Sequence, residues 1–343
     1  MTRGTSEGRA TLADVARLAG VSPSTASRAL NGLGQFTPET RAAVLAAAED
    51  LGFEPSPLAR SLRTQRTHTI GFVVPDVSSP FYAAALQGAQ RELEREGYRV
   101  MLMDSEQDAP RELAALRTLL THQVDGLLVS TTGISQESFE TVLSVRRAPC
   151  VFLDTVLEGA GDGVVLLDNH AGIKLLVRHL AEHGHRRIAV LAGPQRETSA
   201  IERLDAFREE AAAQTVEAEQ LVRVCRWTHE SGKEQTLDLL ALDPPPTAIV
   251  ACSAELALGC LAACRERDVA VPEEIAVACF DDPYVAPLLE PPLTAIAYEP
   301  GELGRLAASL LLERIRSGDG DRSEVRVPVR LIVRRSCGCD GER

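Results

Sequence analysis

LADVARLAGVSPSTASRALNG, residues 12–32, decides how the rest of the chain is read. It holds two short helix-like patterns separated by Ala19-Gly20-Val21-Ser22. Thr11 can cap the first helix, with Asp14 three residues on completing a capping box. Leu12, Val15, Ala16 and Ala19 repeat with helical spacing, and Gly20 ends the run. Ser22 caps a second helix, and Pro23 falls in its first turn, where a missing N–H costs nothing. Thr37-Pro38-Glu39 opens a third helix in the same way and Gly52 closes it. The turn needs a residue tolerant of tight geometry, Gly20, and a buried apolar residue, Val21. The second helix then carries short polar side chains, Ser22, Ser24, Thr25 and Ser27, able to approach phosphates closely. Arg28 is long enough for a two-pronged contact with guanine in a major groove. A plain helical hairpin with a capped second helix accommodates the same turn.

The charge distribution bears on that choice. The chain has 343 residues and a formal net charge of −13. Residues 1–66 carry eight Arg against six Asp or Glu, whereas the remainder carries 28 Lys and Arg against 43 Asp and Glu. A mildly basic head on an acidic body fits a head that meets a polyanion and a body that does not. Length predicts two or three domains, and 45% hydrophobic residues suffice for globular cores. No apolar run reaches the roughly 18 residues of a membrane span. MTRGTSEGRATLADV has no apolar stretch after its charges, so no secretory signal is expected and the expected location is cytoplasmic. The eight cysteines then read as small buried hydrophobes or free thiols.

Residues 53–67, FEPSPLARSLRTQRT, read as a linker or a helix too short to stand alone. From His68 the chain alternates. TIGFVVPD is a buried strand, PFYAAALQGAQRELEREG a helix, YRVMLMDS a strand, PRELAALRTLLTHQ a helix, and VDGLLVST, PCVFLDT and GVVLLDN strands. The rhythm restarts with helix 169–183, strand RRIAVLAGP, helix 199–213, strand LVRVCRW, helix 230–241, strand TAIVACS, helix 254–267 and strand IAVACFDD. Such alternation means parallel sheets covered by helices. HTIGFVVPD and RRIAVLAGP look like the first strands of two similar subdomains. Ligands in these folds bind beyond the carboxyl ends of strands, so two facing subdomains enclose a cleft there.

TLADVARLAGVSPSTASRALNG, FTPETRAAVLAAAEDLGFEPSPLARSLRTQRTHTIGFVVPDVSSPFY, and then DNHAG, HRRIAVLAGP, ERLDAF, FDD, PPLTAI and LIVRRSCG, closely resemble the lactose-repressor (LacI) family of bacterial transcription regulators. The resemblance covers nearly the whole chain. It implies an α/β protein with an N-terminal three-helix helix-turn-helix DNA-binding domain (1–55) and a hinge helix or linker (56–67). A two-subdomain, periplasmic-binding-protein-like core of parallel sheets (68–343) follows. The N-subdomain would take about 68–167 and 297–325, the C-subdomain about 168–296 and 326–343.

By position, the resemblance puts Pro23 and Ser24 at the specificity positions of the recognition helix. Thr25 and Ser27 would bond phosphates, Arg28 would read a base and Asn31 would contact the backbone near the end of the helix. Pro23 departs from the polar or aromatic residue often found there, so its contribution is apolar or conformational. SPLARSLR resembles the family's hinge helix, which folds on the operator and opens a minor-groove step. Leu62 would be the wedge, with Ala59 beside it and Arg60 and Arg63 available for phosphate or groove contact. A plain arginine-bearing linker is the alternative.

The resemblance also places effector contacts at Phe81, Tyr82, Asp154, Glu197, Ser199, Arg203, Trp227, Ser253, Asp281 and Tyr298. Ordinary structural roles compete: Phe81 and Tyr82 as core, Trp227 covering a sheet edge, Asp281-Asp282 as a strand-end cap, Arg203 paired with a structural acid. Sugar-responsive members often carry Asn-Asp where this chain has Ser253-Ala254, and Gln where it has Tyr298. Purine-binding members carry a basic residue where it has Glu197. A neutral or cationic ligand suits Glu197, Asp154 and Asp281 better than a multiply charged phosphate.

Other constellations read blandly. His179, His183 and His185 in HLAEHGHRR suggest a helix end rather than a metal site. Cys337-Gly338-Cys339 has poor zinc spacing and reads as a surface thiol pair in a mobile tail. Cys260 and Cys264 read as packing on one helix. There is no phosphate-binding glycine loop and no nucleophile–base set. The expectation is therefore a cytoplasmic homodimeric repressor on palindromic double-stranded DNA, without cofactor or catalysis, controlled by a sugar or sugar derivative. The chain end, CGCDGER, lacks the leucine heptads of a tetramer. Co-repression by a purine or another metabolite is the alternative within that class. A transport solute-binding protein and a sugar-modifying enzyme are the rivals outside it.

Overall fold

The structure, a computed structural model, describes residues 10–30, 36–53, 66–318 and 322–339. They fall into two units, one ending at Thr67 and the other beginning at His68. The first contains α1 (Leu12–Leu18), α2 (Pro23–Leu30) and α3 (Pro38–Asp50). Its small core is built from Val15, Ala16, Ala26, Ala29, Val44, Ala47 and Ala48. Alanines dominate, so the three helices pack closely and the core is thin. Val21 was expected to be buried; it is half-buried and packs against this core from its edge.

The second unit holds two six-stranded sheets. The first sheet is built from β1 (Thr69–Val74), β2 (Arg99–Asp104), β3 (Gly126–Val129), β4 (Cys150–Leu153), β5 (Gly163–Leu167) and β11 (Ser323–Val327). Its order is β11-β5-β4-β3-β1-β2, with every pairing parallel. The second sheet comprises β6 (Ile188–Ala192), β7 (Val222–Val224), β8 (Ala248–Ala251), β9 (Ala276–Phe280), β10 (Thr294–Ala297) and β12 (Arg330–Ile332). Its order is β12-β10-β9-β8-β6-β7, and only the β10–β12 pair is antiparallel. The chain passes between the sheets after Leu167, after Ala297 and after Val327.

The first sheet is covered by α4 (Pro80–Arg95), α5 (Ala109–Thr121), α6 (Gln136–Ser144) and α11 (Pro300–Ser317). The second is covered by α7 (Asn169–Glu182), α8 (Thr198–Ala213), α9 (His229–Leu240) and α10 (Ala254–Glu266). Most strands are buried along their whole length, as sheets covered on both faces require. Helix α6 was not foreseen. Only Phe139 and Val142 of its nine residues are buried, too few for a periodic signal, and Ser135 caps it locally. Strand β7 keeps three residues, Val222–Val224, of the seven-residue run LVRVCRW. In both sheets the neighbours of the first strand depart in opposite directions, β2 and β3 from β1, β7 and β8 from β6. The carboxyl ends of β1, β3, β6 and β8 therefore open a crevice.

Candidate DNA-reading helix and ligand cleft

Helix α1 begins with the reciprocal cap that Thr11 and Asp14 announce. The Thr11 amide donates to Asp14 Oδ2 at 3.0 Å, and the Asp14 amide donates to Thr11 Oγ1 at 3.4 Å. Gly20 takes the left-handed conformation at the turn (φ 66°). Ser22 Oγ accepts the Thr25 amide at 3.1 Å, which starts α2. Ser22, Pro23, Ser24 and Arg28 stand exposed, Thr25 and Ser27 are half-buried, and Ala26 and Ala29 face the core. The Arg28 Nε donates weakly to the Ser24 carbonyl at 3.4 Å. Asn31 and the hinge residues Ala59, Arg60, Leu62 and Arg63 lie outside the described residues.

Between the sheets lies a cleft of about 750 Å³. All ten positions assigned by resemblance are on its wall. All but Arg203 follow the carboxyl end of a strand or lie in the first turn of the next helix. Phe81 and Tyr82 open α4 after β1, and Asp154 follows β4. Glu197 and Ser199 lie at the start of α8, with Arg203 one turn on, and Trp227 follows β7. Ser253, Asp281 and Tyr298 follow β8, β9 and β10.

The cleft is electrostatically tense. Asp154 is 8% exposed, and burial pushes its carboxyl up to about 6 despite Arg203 and the Tyr82 hydroxyl, which donates to Oδ2 at 3.1 Å. Glu197 is also 8% exposed and is pushed up to about 7, chiefly by burial. The Trp227 indole N–H donates to Glu197 Oε2 at 2.6 Å and opposes that rise. Burial raises Asp281 as well, opposed by Arg203, by the Tyr298 hydroxyl and by the Ala254 amide, which donates to Oδ2 at 3.0 Å. Asp154 (φ 63°) and Asp281 (φ 124°) both hold backbone conformations uncommon for side-chain-bearing residues. Such positions cost about 1–3 kcal/mol each and collect where ligands bind.

Arg203 is almost wholly buried. Its Nε donates to Asn169 Oδ1 at 2.8 Å and its Nη1 to the Cys252 carbonyl at 2.6 Å. Its guanidinium stacks over Phe280, 3.8 Å from the ring centroid. Trp227 lies so close to the backbone that a Cβ on Gly193 would sit 1.9 Å from the ring, so only glycine fits there.

Asp281 and Asp282 do not share one structural role. Asp282 forms a two-pronged pair with Arg334 at 2.6 and 2.9 Å, while Asp281 faces the cleft. Ser253 caps α10 by accepting the Leu256 amide at 3.3 Å. Sequence reasoning missed His229, Glu230 and Tyr284 on the cleft wall, and Asn169 behind Arg203. His229 and Glu230 begin α9 and Tyr284 sits on a turn, none within a distinguishing pattern. Asn169 begins the quoted helix 169–183, in the position where an N-terminal amide can reach across to α8. The tail also differs from expectation. Cys337 is 1% exposed and lies against His179, so it is no surface thiol.

A helix-turn-helix unit joined to a two-sheet core with a cleft at its strand ends is the build of a ligand-responsive DNA-binding regulator. Residues 11–56 match the lacI family of bacterial regulatory proteins, and residues 177–337 match the periplasmic binding protein-like domain. The HTH-type transcriptional repressor PurR of Haemophilus influenzae (strain PittEE) is 32% identical over 334 residues, spanning 95% of this chain and 98% of that protein. The ribose operon repressor of Escherichia coli (strain K12) is 35% identical over 308 residues, 89% of this chain and 93% of its own. The lac repressor dimer bound to operator and the anti-inducer ONPF superposes with a TM-score of 0.86 at 26% identity, covering 96% of this chain and 99% of that one. The complex of transcriptional regulator CelR with cellobiose gives 0.73 at 33% identity, covering 96% and 100%. This chain belongs to the lacI family of bacterial regulatory proteins. Among the described residues, no helix is long and apolar enough to cross a membrane.

Proposed function

We propose that this protein is a transcriptional repressor that binds a palindromic operator as a homodimer and is controlled by a small molecule in the cleft. The observation that carries this reading is the outer face of α2. Ser22, Pro23, Ser24 and Arg28 are exposed on a helix whose other face is locked into a core by Ala26 and Ala29. A helix mounted in this way offers hydroxyls to phosphates and one guanidinium to a guanine edge. Two copies one helical turn apart address two half-sites, which makes the dimer and the palindrome one statement. Leu62 is the assigned wedge in the minor groove, with Ala59, Arg60 and Arg63 beside it and Asn31 on the DNA backbone. The 1–55, 56–67 and 68–343 division follows from these roles. The protein acts in the cytoplasm and carries out no catalysis.

The ligand is a neutral, hydroxyl-rich molecule of the sugar class. Asp154, Glu197 and Asp281 face the cleft with a single guanidinium, two of whose nitrogens are already engaged. Hydroxyl groups donate to such carboxylates, whereas a phosphate or carboxylate would be repelled. Trp227 and Phe81 provide aromatic faces for an apolar sugar face. A ligand touching residues after both sheets binds the closed cleft better than the open one. It thereby shifts the angle between subdomains and the spacing of the hinge segments.

Two measurements test this. Binding of the purified protein to selected DNA should be sequence-dependent and persist at moderate salt. Absence of any sequence preference would refute the regulator. A thermal-shift panel of sugars, polyols, sugar phosphates, nucleosides and purines identifies the ligand class. A ligand at about 100 times its dissociation constant stabilises the core by ~2.7 kcal/mol. A response to purines or phosphates alone would refute the sugar assignment, and failure of the hit to alter DNA binding would refute the coupling.

A further inference from the structure

The tail of the chain is pinned to the second sheet. Ser336 Oγ donates to the Val277 carbonyl at 2.6 Å and accepts the Thr294 amide at 2.8 Å. Thr294 Oγ1 donates to Cys337 Sγ at 3.1 Å. Ser336, Thr294 and Cys337 are all buried. Next in the chain, Gly338 adopts a left-handed conformation (φ 83°) and turns Cys339 back. A second sulfur thereby reaches the imidazole that the first already touches. His179 Nε2, in the last turn of α7, lies 3.2 Å from Cys337 Sγ and 3.4 Å from Cys339 Sγ. All three donor atoms fall within 4.8 Å of one another.

We propose that His179, Cys337 and Cys339 form a binding site for one zinc(II)-class metal ion, which ties the C-terminal tail to helix α7. The geometry meets the ion's own demands. Zinc takes sulfur at about 2.3 Å and nitrogen at about 2.0 Å, and a tetrahedral angle then separates them by about 3.6 Å. The two observed S···N separations need to open by only a few tenths of an ångström to receive it. Two soft sulfurs and one borderline imidazole nitrogen suit zinc and disfavour magnesium or calcium, which take oxygen. Cys339 is half-buried, so the fourth position falls to water. The other six cysteines, at 150, 225, 252, 260, 264 and 279, are buried in the core and do not compete for an added ion. Binding displaces the two thiol protons to solvent, one from each sulfur, and involves no electron transfer.

The site is tested on tag-free, full-length protein kept reduced and free of chelator. Cobalt(II) is the probe, titrated by absorbance and then displaced by zinc(II). The expected result is a thiolate-to-cobalt charge-transfer band that saturates at one ion per chain and vanishes on adding zinc. Cys339→Ala and His179→Gln should each weaken binding by at least the roughly 10–100-fold that loss of a supporting residue costs a metal site. Both substituted positions are only partly buried, and unchanged Trp227 emission checks that the core is intact. Wild-type protein without the band would overturn the proposal, leaving a hydrogen-bonded thiol cluster. So would variants that bind cobalt as tightly as wild type. Neither outcome depends on DNA binding or on the cleft ligand.

Discussion

Replacing Glu197 by Gln isolates the cost of a buried carboxylate in the cleft. Burial raises this group from 4.5 to about 7, against the opposing Trp227 hydrogen bond and the positive charges of Arg196 and Arg203. The folded protein therefore holds the proton at pH values where the unfolded chain has released it. Its contribution to stability is fully present below 4.5 and is lost as the pH rises through about 7. Each pKa unit is worth about 1.4 kcal/mol, so wild type should lose about 2–3 kcal/mol from this group between about pH 5 and pH 8. The amide of E197Q keeps an acceptor for the Trp227 N–H and does not titrate. Subtracting its stability-versus-pH curve from that of wild type leaves the Glu197 contribution together with its repulsion with Asp154. The chain has one tryptophan, Trp227, which touches the titrating group itself. Urea unfolding followed by its emission reads both the stability and the local ionisation. Wild-type and E197Q curves that run parallel would show that Glu197 ionises like an exposed acid, and the reasoning from burial would fail.

Arg28→Ala should cost about 1–3 kcal/mol at one base pair of the selected site and much less on unrelated DNA. Equal loss on all sequences, measured by anisotropy, would remove its base-reading role. Asp281→Ala removes the partner of the Ala254 amide and of the Tyr298 hydroxyl, at about 1–3 kcal/mol of core stability. It should abolish release or capture of DNA by the ligand while the protein stays folded, and a retained response would move the site elsewhere. Gly193→Ala places a methyl 1.9 Å from the Trp227 ring. Overpacking of that kind costs about 1–3 kcal/mol, so the ring should be displaced, with altered emission and weakened ligand binding. Unchanged emission and affinity would show that the ring does not cover Gly193 in solution.

What could be read from the residues alone follows the range of the interactions. The three N-terminal helices are written in local chemistry. Thr11 with Asp14, Ser22 before Pro23, and Thr37 before Pro38 are caps made between residues three apart, and each appears where its spacing places it. The parallel sheets were legible for a similar reason: continuous apolar runs such as TIGFVV and IAVLA leave no face for water. The cleft positions were assigned by resemblance, and most of them lie where topology puts a cleft, just after a strand or at the start of the next helix. Helix α6 failed the same test, with two buried residues and no stripe to detect.

The tail shows the other limit. His179 and Cys337 are 158 positions apart in the chain. Neither belongs to a spacing motif, and HLAEHGHRR and SCGC each read blandly by themselves. They meet only because β10 receives β12 antiparallel on its outer edge, in a sheet where all the other pairings are parallel. That single reversal brings the end of the chain back along the second sheet to the last turn of α7, which carries His179. Spacing rules for metal ligands assume that ligands come in local pairs, and here one local pair, Cys337 and Cys339, lacks its complement in sequence. The complement is supplied by topology. A reading confined to local periods is therefore strongest for the three N-terminal helices, adequate for the strands that frame the cleft and blind to the tail.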